Sequence, residues 1–270
     1  MENNIRIVNK KPGQTPLECI NEIKKTESKL AHLPLTYAGR LDPLAEGVLI
    51  ILIGDECLKK DEYLKLGKVY EVEILFGFAT DTYDVMGLIT SEVASSSYKF
   101  LGPRMREDEE PDHKNLHDDF APKIQNVLSK FTGRIKQFYP PYSSRTVEGK
   151  PLYQWAREGK LENITIPSHD VFVEKIEIIK DGSILGDKLL KKIQKDISQV
   201  GGDFRQKEIL NIWQNILKDK KEENFKTITL KIACGSGVYV RFIAHEIGLA
   251  LGIPTLALHI KRTEVGNYKL

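Results

Sequence analysis

This 270-residue chain is short of three things: cysteine, net charge and long apolar runs. Cys19, Cys57 and Cys234 are odd in number, far apart and without metal-ligand spacing. They exclude a disulfide scaffold and read as reduced thiols of a cytoplasmic protein. Lys and Arg total 40 against 38 Asp and Glu, a net charge of +2. Bulk charge therefore argues neither for nor against a nucleic-acid partner, and a binder would have to gather its cations on one face. No apolar run approaches the ~20 residues of a membrane span, and residues 1–11 are polar, unlike a signal peptide. The six histidines form no nucleophile–base arrangement with Ser or Cys, which argues against a hydrolase of the α/β type. His113 and His117 have i, i+4 spacing, but they lie in an acidic stretch and read as solvated, not as metal ligands.

A hydrophobic share of 41% is enough to bury a sizeable core. Residues 48–53 form a short apolar run ended by Gly54, which reads as a buried strand. Over residues 68–76, Tyr70, Val72 and Ile74 alternate with Glu71 and Glu73, the pattern of a half-buried strand. Ile228, Leu230 and Ile232 repeat it, Gly235-Ser236-Gly237 turns the chain, and from Val238 the period becomes helical through Val240, Ile243, Ile247 and Leu251. Two stretches interrupt this order. One is a polar, acidic loop at about 97–119, with Glu107, Asp108, Glu109, Glu110 and Asp112. The other, at about 181–226, reads as a helical hairpin broken at Gly201-Gly202. Its Lys188, Lys191, Lys192 and Lys195 follow i, i+3, i+4, i+7 and share one face. That face is either a solvated outer surface or a row of cations for phosphate contacts.

The segment with most chemical content is Tyr37-Ala38-Gly39-Arg40-Leu41-Asp42-Pro43-Leu44-Ala45-Glu46-Gly47. Asp-Pro by itself is a good helix start, with Asp as the N-cap and Pro at the first helical position. The wider run resembles the signature of the TruB pseudouridine synthases, in which the Asp of G-x-L-D-P-L-A-x-G is catalytic. Further matches follow in order. They are Lys10-Lys11-Pro12-Gly13-Gln14-Thr15, Lys68-Val69-Tyr70, Thr80-Asp81-Thr82-Tyr83-Asp84 up to Gly87, Pro140-Pro141-Tyr142-Ser143-Ser144, Gly149 to Gly159, Gly237-Val238-Tyr239-Val240-Arg241 and Leu258-His259-Ile260-Lys261-Arg262-Thr263.

The resemblance implies an α/β fold of the α+β type, with a mixed, mostly antiparallel sheet flanked by helices. It implies one catalytic domain over 1–270 with an RNA-facing insertion at about 138–166, and no C-terminal PUA domain is expected. It further implies isomerisation of uridine to pseudouridine in tRNA, at the T-loop uridine 55, by base flipping. The catalytic residues implied are Asp42, Tyr70 and Arg241, with Arg241 pairing Asp42 and Tyr70 stacking on the base. Tyr37, at the place of a usual His, is expected to bind substrate, together with Leu258 and Ile260 as the apolar wall and Lys10, Arg145, Tyr153 and Arg157. The reaction neither oxidises nor hydrolyses, so no metal or other cofactor is expected. The partner is the T-arm of tRNA, with no membrane and no guide-RNA particle, and the enzyme is expected to be a monomer. Gly39-Arg40-Leu41-Asp42 also resembles sister families that act on ribosomal RNA, so another RNA stays open as the substrate. So does a catalytically silent RNA-binding or RNA-folding protein on the same fold.

Overall fold

The computed structural model describes residues 4–92 and 120–270. In chain order the elements are β1 (Ile5–Lys10), α1 (Pro16–Thr26), β2 (Leu35–Ala38), β3 (Glu46–Ile53), α2 (Lys60–Lys65), β4 (Lys68–Phe76), β5 (Phe78–Thr80), β6 (Ile89–Glu92), α3 (Phe120–Ser129), β7 (Gly133–Phe138), β8 (Thr146–Val147), β9 (Lys150–Pro151), α4 (Leu152–Arg157), β10 (Ser168–Leu185), α5 (Gly186–Ser198), α6 (Gln206–Leu217), β11 (Asn224–Cys234), α7 (Val240–Leu251), β12 (Thr255–Val265) and β13 (Tyr268–Lys269). The main sheet runs β1-β3-β12-β4-β11-β10-β7, with β2 added to β3 and β13 to β12. Its pairings are antiparallel except the short parallel contact of β12 with β3. The mixed, mostly antiparallel sheet with flanking helices matches the expectation from the sequence.

The apolar run in β3 is continuous because both of its faces are covered. Leu49, Ile51 and Ile53 meet Cys19, Ile20 and Ile23 of α1. Val48, Ile50 and Leu52 meet Val265 and the half-buried Tyr63 and Tyr268. Helix α1 is fixed at its start by a capping box: Thr15 Oγ1 accepts from the Glu18 amide and the Glu18 carboxylate accepts from the Thr15 amide.

In the centre of the sheet, one face carries α7 and α3 over Val72, Ile74, Leu230 and Ile232. The other face carries α5 and α6, whose Leu189, Ile193, Ile197, Ile209, Trp213 and Leu217 pack on Leu75, Phe78, Phe225 and Leu256. The helical hairpin is shorter than the sequence predicts. Residues 181–185 and 224–228 are extended and pair antiparallel as the ends of β10 and β11. Helix α7 likewise starts at Val240, after an extended Tyr239, and stops where Gly252 takes the left-handed conformation at φ 69°. The acidic loop at 97–119, and with it His113 and His117, lies outside the described residues. No helix among the described residues is long and apolar enough to cross a membrane.

Candidate active site

Asp42 lies in the turn between β2 and β3, and no helix follows it. The Ala45 amide donates to the Asp42 carbonyl at 3.1 Å, and the chain then enters β3. The Asp-Pro pair therefore caps nothing, and the carboxylate is left for another purpose. Glycine is required at the far side of the turn. Gly47 has φ 110°, and a Cβ there would sit 2.1 Å from the Arg262 carbonyl of the neighbouring β12.

Two buried cations hold this turn from beneath. The Lys10 ammonium donates to the carbonyls of Lys11, Asp42, Pro43 and Ala45 at 3.2, 3.2, 3.1 and 2.6 Å. Lys10 is fully buried, and burial lowers its pKa to about 8. The sequence reading gave Lys10 to substrate binding. That is corrected here, because its donors are spent on the carbonyls of the Asp42 turn. Arg262 donates from Nε to the Val48 carbonyl at 2.8 Å and from Nη2 to the Gly39 carbonyl at 3.0 Å.

Arg241, at the start of α7, grips Asp42 with two donors: Nε to Oδ2 at 2.7 Å and Nη2 to Oδ1 at 3.1 Å. This is the fork-on-carboxylate geometry that lysine cannot reproduce. Arg241 is 4% exposed, whereas the Asp42 side chain is 36% exposed. The cation is thus buried and the carboxylate is partly open to solvent. Arg241 also donates from Nη1 to the Thr82 carbonyl at 2.5 Å, and its Nε, the nitrogen that binds Asp42 Oδ2, lies 3.6 Å from Asp84 Oδ2. Asp84 is itself held by the Thr82 hydroxyl at 2.7 Å and the Met86 amide at 2.9 Å. Burial pulls the Arg241 pKa down, but Asp42 and Asp84 outweigh it, so the guanidinium is held more firmly charged than usual. Burial pushes the Asp84 pKa up, against the pull of Arg241. The loop bearing Thr82 and Asp84 is constrained at Tyr83, whose φ is 66° and whose ring stacks on His245 at 4.1 Å.

Tyr70, on β4, lies in register with Arg262 and packs half-buried on the α7 side of the sheet. Burial raises its phenol pKa while the nearby Arg262 lowers it. Ile260, Leu41 and Ala45 share that cluster. Leu258 does not, which corrects the pairing of Leu258 with Ile260 as one wall. A register shift between Ala257 and His259 puts Leu258 with Leu256 on the opposite face, under α5 and α6. Asp84 and Tyr239 were given no role from the sequence, although both lie in motifs quoted above. Tyr239 faces this centre: burial first, then the Asp42 charge, raises its pKa. Its backbone amide and carbonyl are fixed by the Gln137 side chain at 2.8 and 3.1 Å.

The remaining candidates lie around the centre in different states. Tyr37 is half-buried against α1, with its hydroxyl 3.5 Å from Arg40 Nη2. Arg145 is exposed and lies over the Tyr139 ring at 5.1 Å, and Tyr153 is 37% exposed. Arg157 is occupied: its Nη2 donates to the Asp203 carbonyl at 2.6 Å and carboxylate at 3.1 Å. On α5, Lys191 pairs with Asp187 and Lys192 with Asp196, at 2.6 and 2.8 Å. Among the described residues no cluster of His, Cys, Asp and Glu is placed to hold a metal ion.

Comparison with known proteins places this arrangement. The family model for TruB family pseudouridylate synthase (N terminal domain) matches residues 29–101 and 104–190, more than half of the chain. A tRNA pseudouridine synthase B of Ligilactobacillus salivarius (strain UCC118) is 29% identical over 263 residues, covering 97% of this chain and 67% of that protein. The protein of that name from Borreliella burgdorferi (strain ZS7) is 26% identical over 275 residues, covering 100% of this chain and 72% of the relative. Among solved structures, a Cbf5-Nop10-Gar1 complex matches with TM-score 0.53 at 18% identity, over 98% of this chain and 49% of that one. An H/ACA RNP bound to a substrate RNA containing 2′-deoxyuridine matches with TM-score 0.51 at 17% identity, over 98% of this chain and 48% of that one. The chain thus spans about half the length of those structures, and at such identity the likeness carries the fold alone. The family model, over more than half of the chain, and relatives aligned along nearly all of it agree: the chain belongs to the TruB family of pseudouridylate synthases.

Proposed function

We propose that this protein isomerises uridine to pseudouridine at position 55 in the T-loop of tRNA, with Asp42 as the catalytic carboxylate. The reading rests on one observation above the others. Asp42 is the exposed member of a forked ion pair whose cation is buried and further held by the Thr82 carbonyl and by Asp84. A partly exposed carboxylate, paired with a buried guanidinium that cannot move away, suits attack on the flipped nucleotide or acceptance of its proton. The bond from uracil N1 to ribose C1′ breaks, the base turns, and C5 joins C1′. C5 gives up its proton and N1 gains one, so atoms and charge balance without oxidant or water.

Tyr70 and Ile260 then supply the ring and the apolar wall against which the base lies, and Tyr239 closes the same centre. Flipping the base costs on the order of a few kcal/mol, which contacts of this kind offset. The relatives' names support tRNA as the substrate. The test is to incubate the protein with unmodified tRNA transcripts and with an isolated T-arm hairpin, without added metal or cofactor, and to map pseudouridine chemically. Modification at the T-loop uridine of both supports the reading. Modification of ribosomal RNA alone moves the substrate, and no isomerisation of any RNA leaves an RNA-binding protein on this fold.

A further inference from the structure

We propose that the α5–α6 hairpin is a brace for the active site, and that Arg205, in its turn, is a positioning residue for the isomerisation. This rests on the reading above for its effect on turnover, and on geometry alone for the brace itself.

The hairpin turn touches three separate segments that build the centre. The first contact is with the Arg241-holding loop. Arg205 places Nη1 2.7 Å from Asp81 Oδ2 and Nη2 3.2 Å from Asp81 Oδ1, while its guanidinium lies over the Tyr142 ring at 4.7 Å. Asp81 Oδ1 also accepts the Leu88 amide at 2.9 Å, and the Asp81 amide donates to the Leu88 carbonyl at 3.0 Å. Asp81 therefore pins together the two ends of the loop that carries Thr82 and Asp84, the further partners of Arg241. The second contact is with the insertion, where Arg157 of α4 binds Asp203, two residues before Arg205. The third is with the segment that precedes α1. Gly13 lies so close to Gln199 that a Cβ would meet the Gln199 carbonyl oxygen at 2.2 Å, and the Gly13 amide donates to the Pro43 carbonyl at 2.9 Å. The apolar side of the hairpin reaches the same loop from below, since Val85 and Met86 share its core cluster.

Arg205 itself has φ 62°, a left-handed backbone at which a residue with a side chain is uncommon. Glycine would suit that backbone better, and two glycines stand at 201 and 202. The structure keeps arginine where the backbone favours glycine, and the contact retained in exchange is the fork on Asp81. A strained position held by a specific contact beside a reactive centre is the pattern of a pre-organised site.

The variant that removes this contact without straining the chain is Arg205→Gly, because glycine accepts the left-handed backbone; the side chain goes as a whole, its packing on Tyr142 included. On the full-length protein, amide hydrogen exchange of residues 81–88 should accelerate in Arg205→Gly, with exchange in β3 and β11 unchanged. Unchanged exchange at 81–88 overturns the brace, whatever the protein's substrate. For turnover of a T-arm hairpin, Arg205→Gly should lower kcat by about tenfold, a displacement of well under 1 Å being enough for that, with little change in KM. Arg205→Lys should restore part of kcat. Combining Arg205→Gly with Asp81→Asn should cost no more than the larger single change, because both remove one contact. Full kcat in Arg205→Gly, or a loss expressed only in KM, overturns the positioning role. Absence of isomerisation by the wild type instead removes the functional reading, and the exchange result alone then decides the brace.

Discussion

Two sets of four cations in this molecule have opposite fates. Lys10, Lys68, Arg241 and Arg262 are all buried, at 0, 8, 4 and 1% exposure, around the Asp42 turn and the strands beside it. Lys188, Lys191, Lys192 and Lys195 lie on the outer side of α5, where two of them pair with acids one helical turn away. Within the buried set, Arg241 is the one that forms ion pairs with carboxylates. Lys10, Lys68 and Arg262 donate to main-chain carbonyls. Desolvation is costly for each, and burial lowers the pKa of both Lys10 and Lys68 to about 8. The comparison teaches that charge near the site works mainly as mortar. It fixes the Asp42 turn, while the lysines most visible in the sequence have the weakest claim on function.

The largest effect is expected at Arg241. Arg241→Ala strands Asp84 in the core and should cost ~3–5 kcal/mol of stability, read by chemical denaturation, together with nearly all turnover. Arg241→Lys should recover charge but not the fork, and so only part of the activity. An Arg241→Ala protein with normal melting and turnover would break the contrast at its strongest point.

Core truncations at two neighbouring positions sharpen it next. Ile260→Ala and Leu258→Ala should each cost ~2–5 kcal/mol. Only Ile260→Ala should also impair turnover at a temperature where both are folded, because Leu258 packs beneath the hairpin.

Lys10 gives a pH signature of the buried set. Its folded pKa of about 8 lies below the ordinary 10.5. Between those values the unfolded chain binds a proton that the folded one lacks, so the Lys10 contribution makes stability rise with pH. Denaturation curves from about pH 7 to about pH 10 should show the wild type gaining on Lys10→Met as pH rises through this window. A constant difference would mean that Lys10 titrates as an exposed lysine.

The smallest effect is expected on α5. If the four lysines contacted duplex phosphates, changing all of them to Gln would flatten the salt dependence of tRNA binding by about 0.9 per contact. With the hairpin acting as a brace and two of the lysines paired, the slope should shift by less than about 1. A shift near the full set would return this face to RNA binding.

Much of this centre was legible in the sequence. The Asp42 motif, Tyr70 and Arg241 sit in runs whose order along the chain carries the resemblance; alternation located β4 and β11, and a continuous apolar run located β3. What was not legible depends on three-dimensional neighbours. Asp84 and Tyr239 stood inside quoted motifs, but their importance comes from meeting Arg241 and Asp42 across the fold. Leu258 and Ile260 share parity in the sequence, and one bulge puts them on opposite faces. Burial of Lys10 could not be read from a polar run. Nor could the turn at Gly201-Gly202 announce that it would end against the Asp81 loop.

The central claim is that Asp42, held by Arg241, carries the isomerisation. Pseudouridine mapping of one unmodified tRNA after incubation with wild type and with Asp42→Asn tests it most directly. Asn keeps the size of the side chain, and no helix depends on its capping, so the variant should remain folded, with Asp84 still facing the guanidinium. The account predicts pseudouridine at the T-loop uridine with the wild type, and none with Asp42→Asn although the variant still binds the tRNA. Substantial modification by a folded Asp42→Asn protein would contradict it.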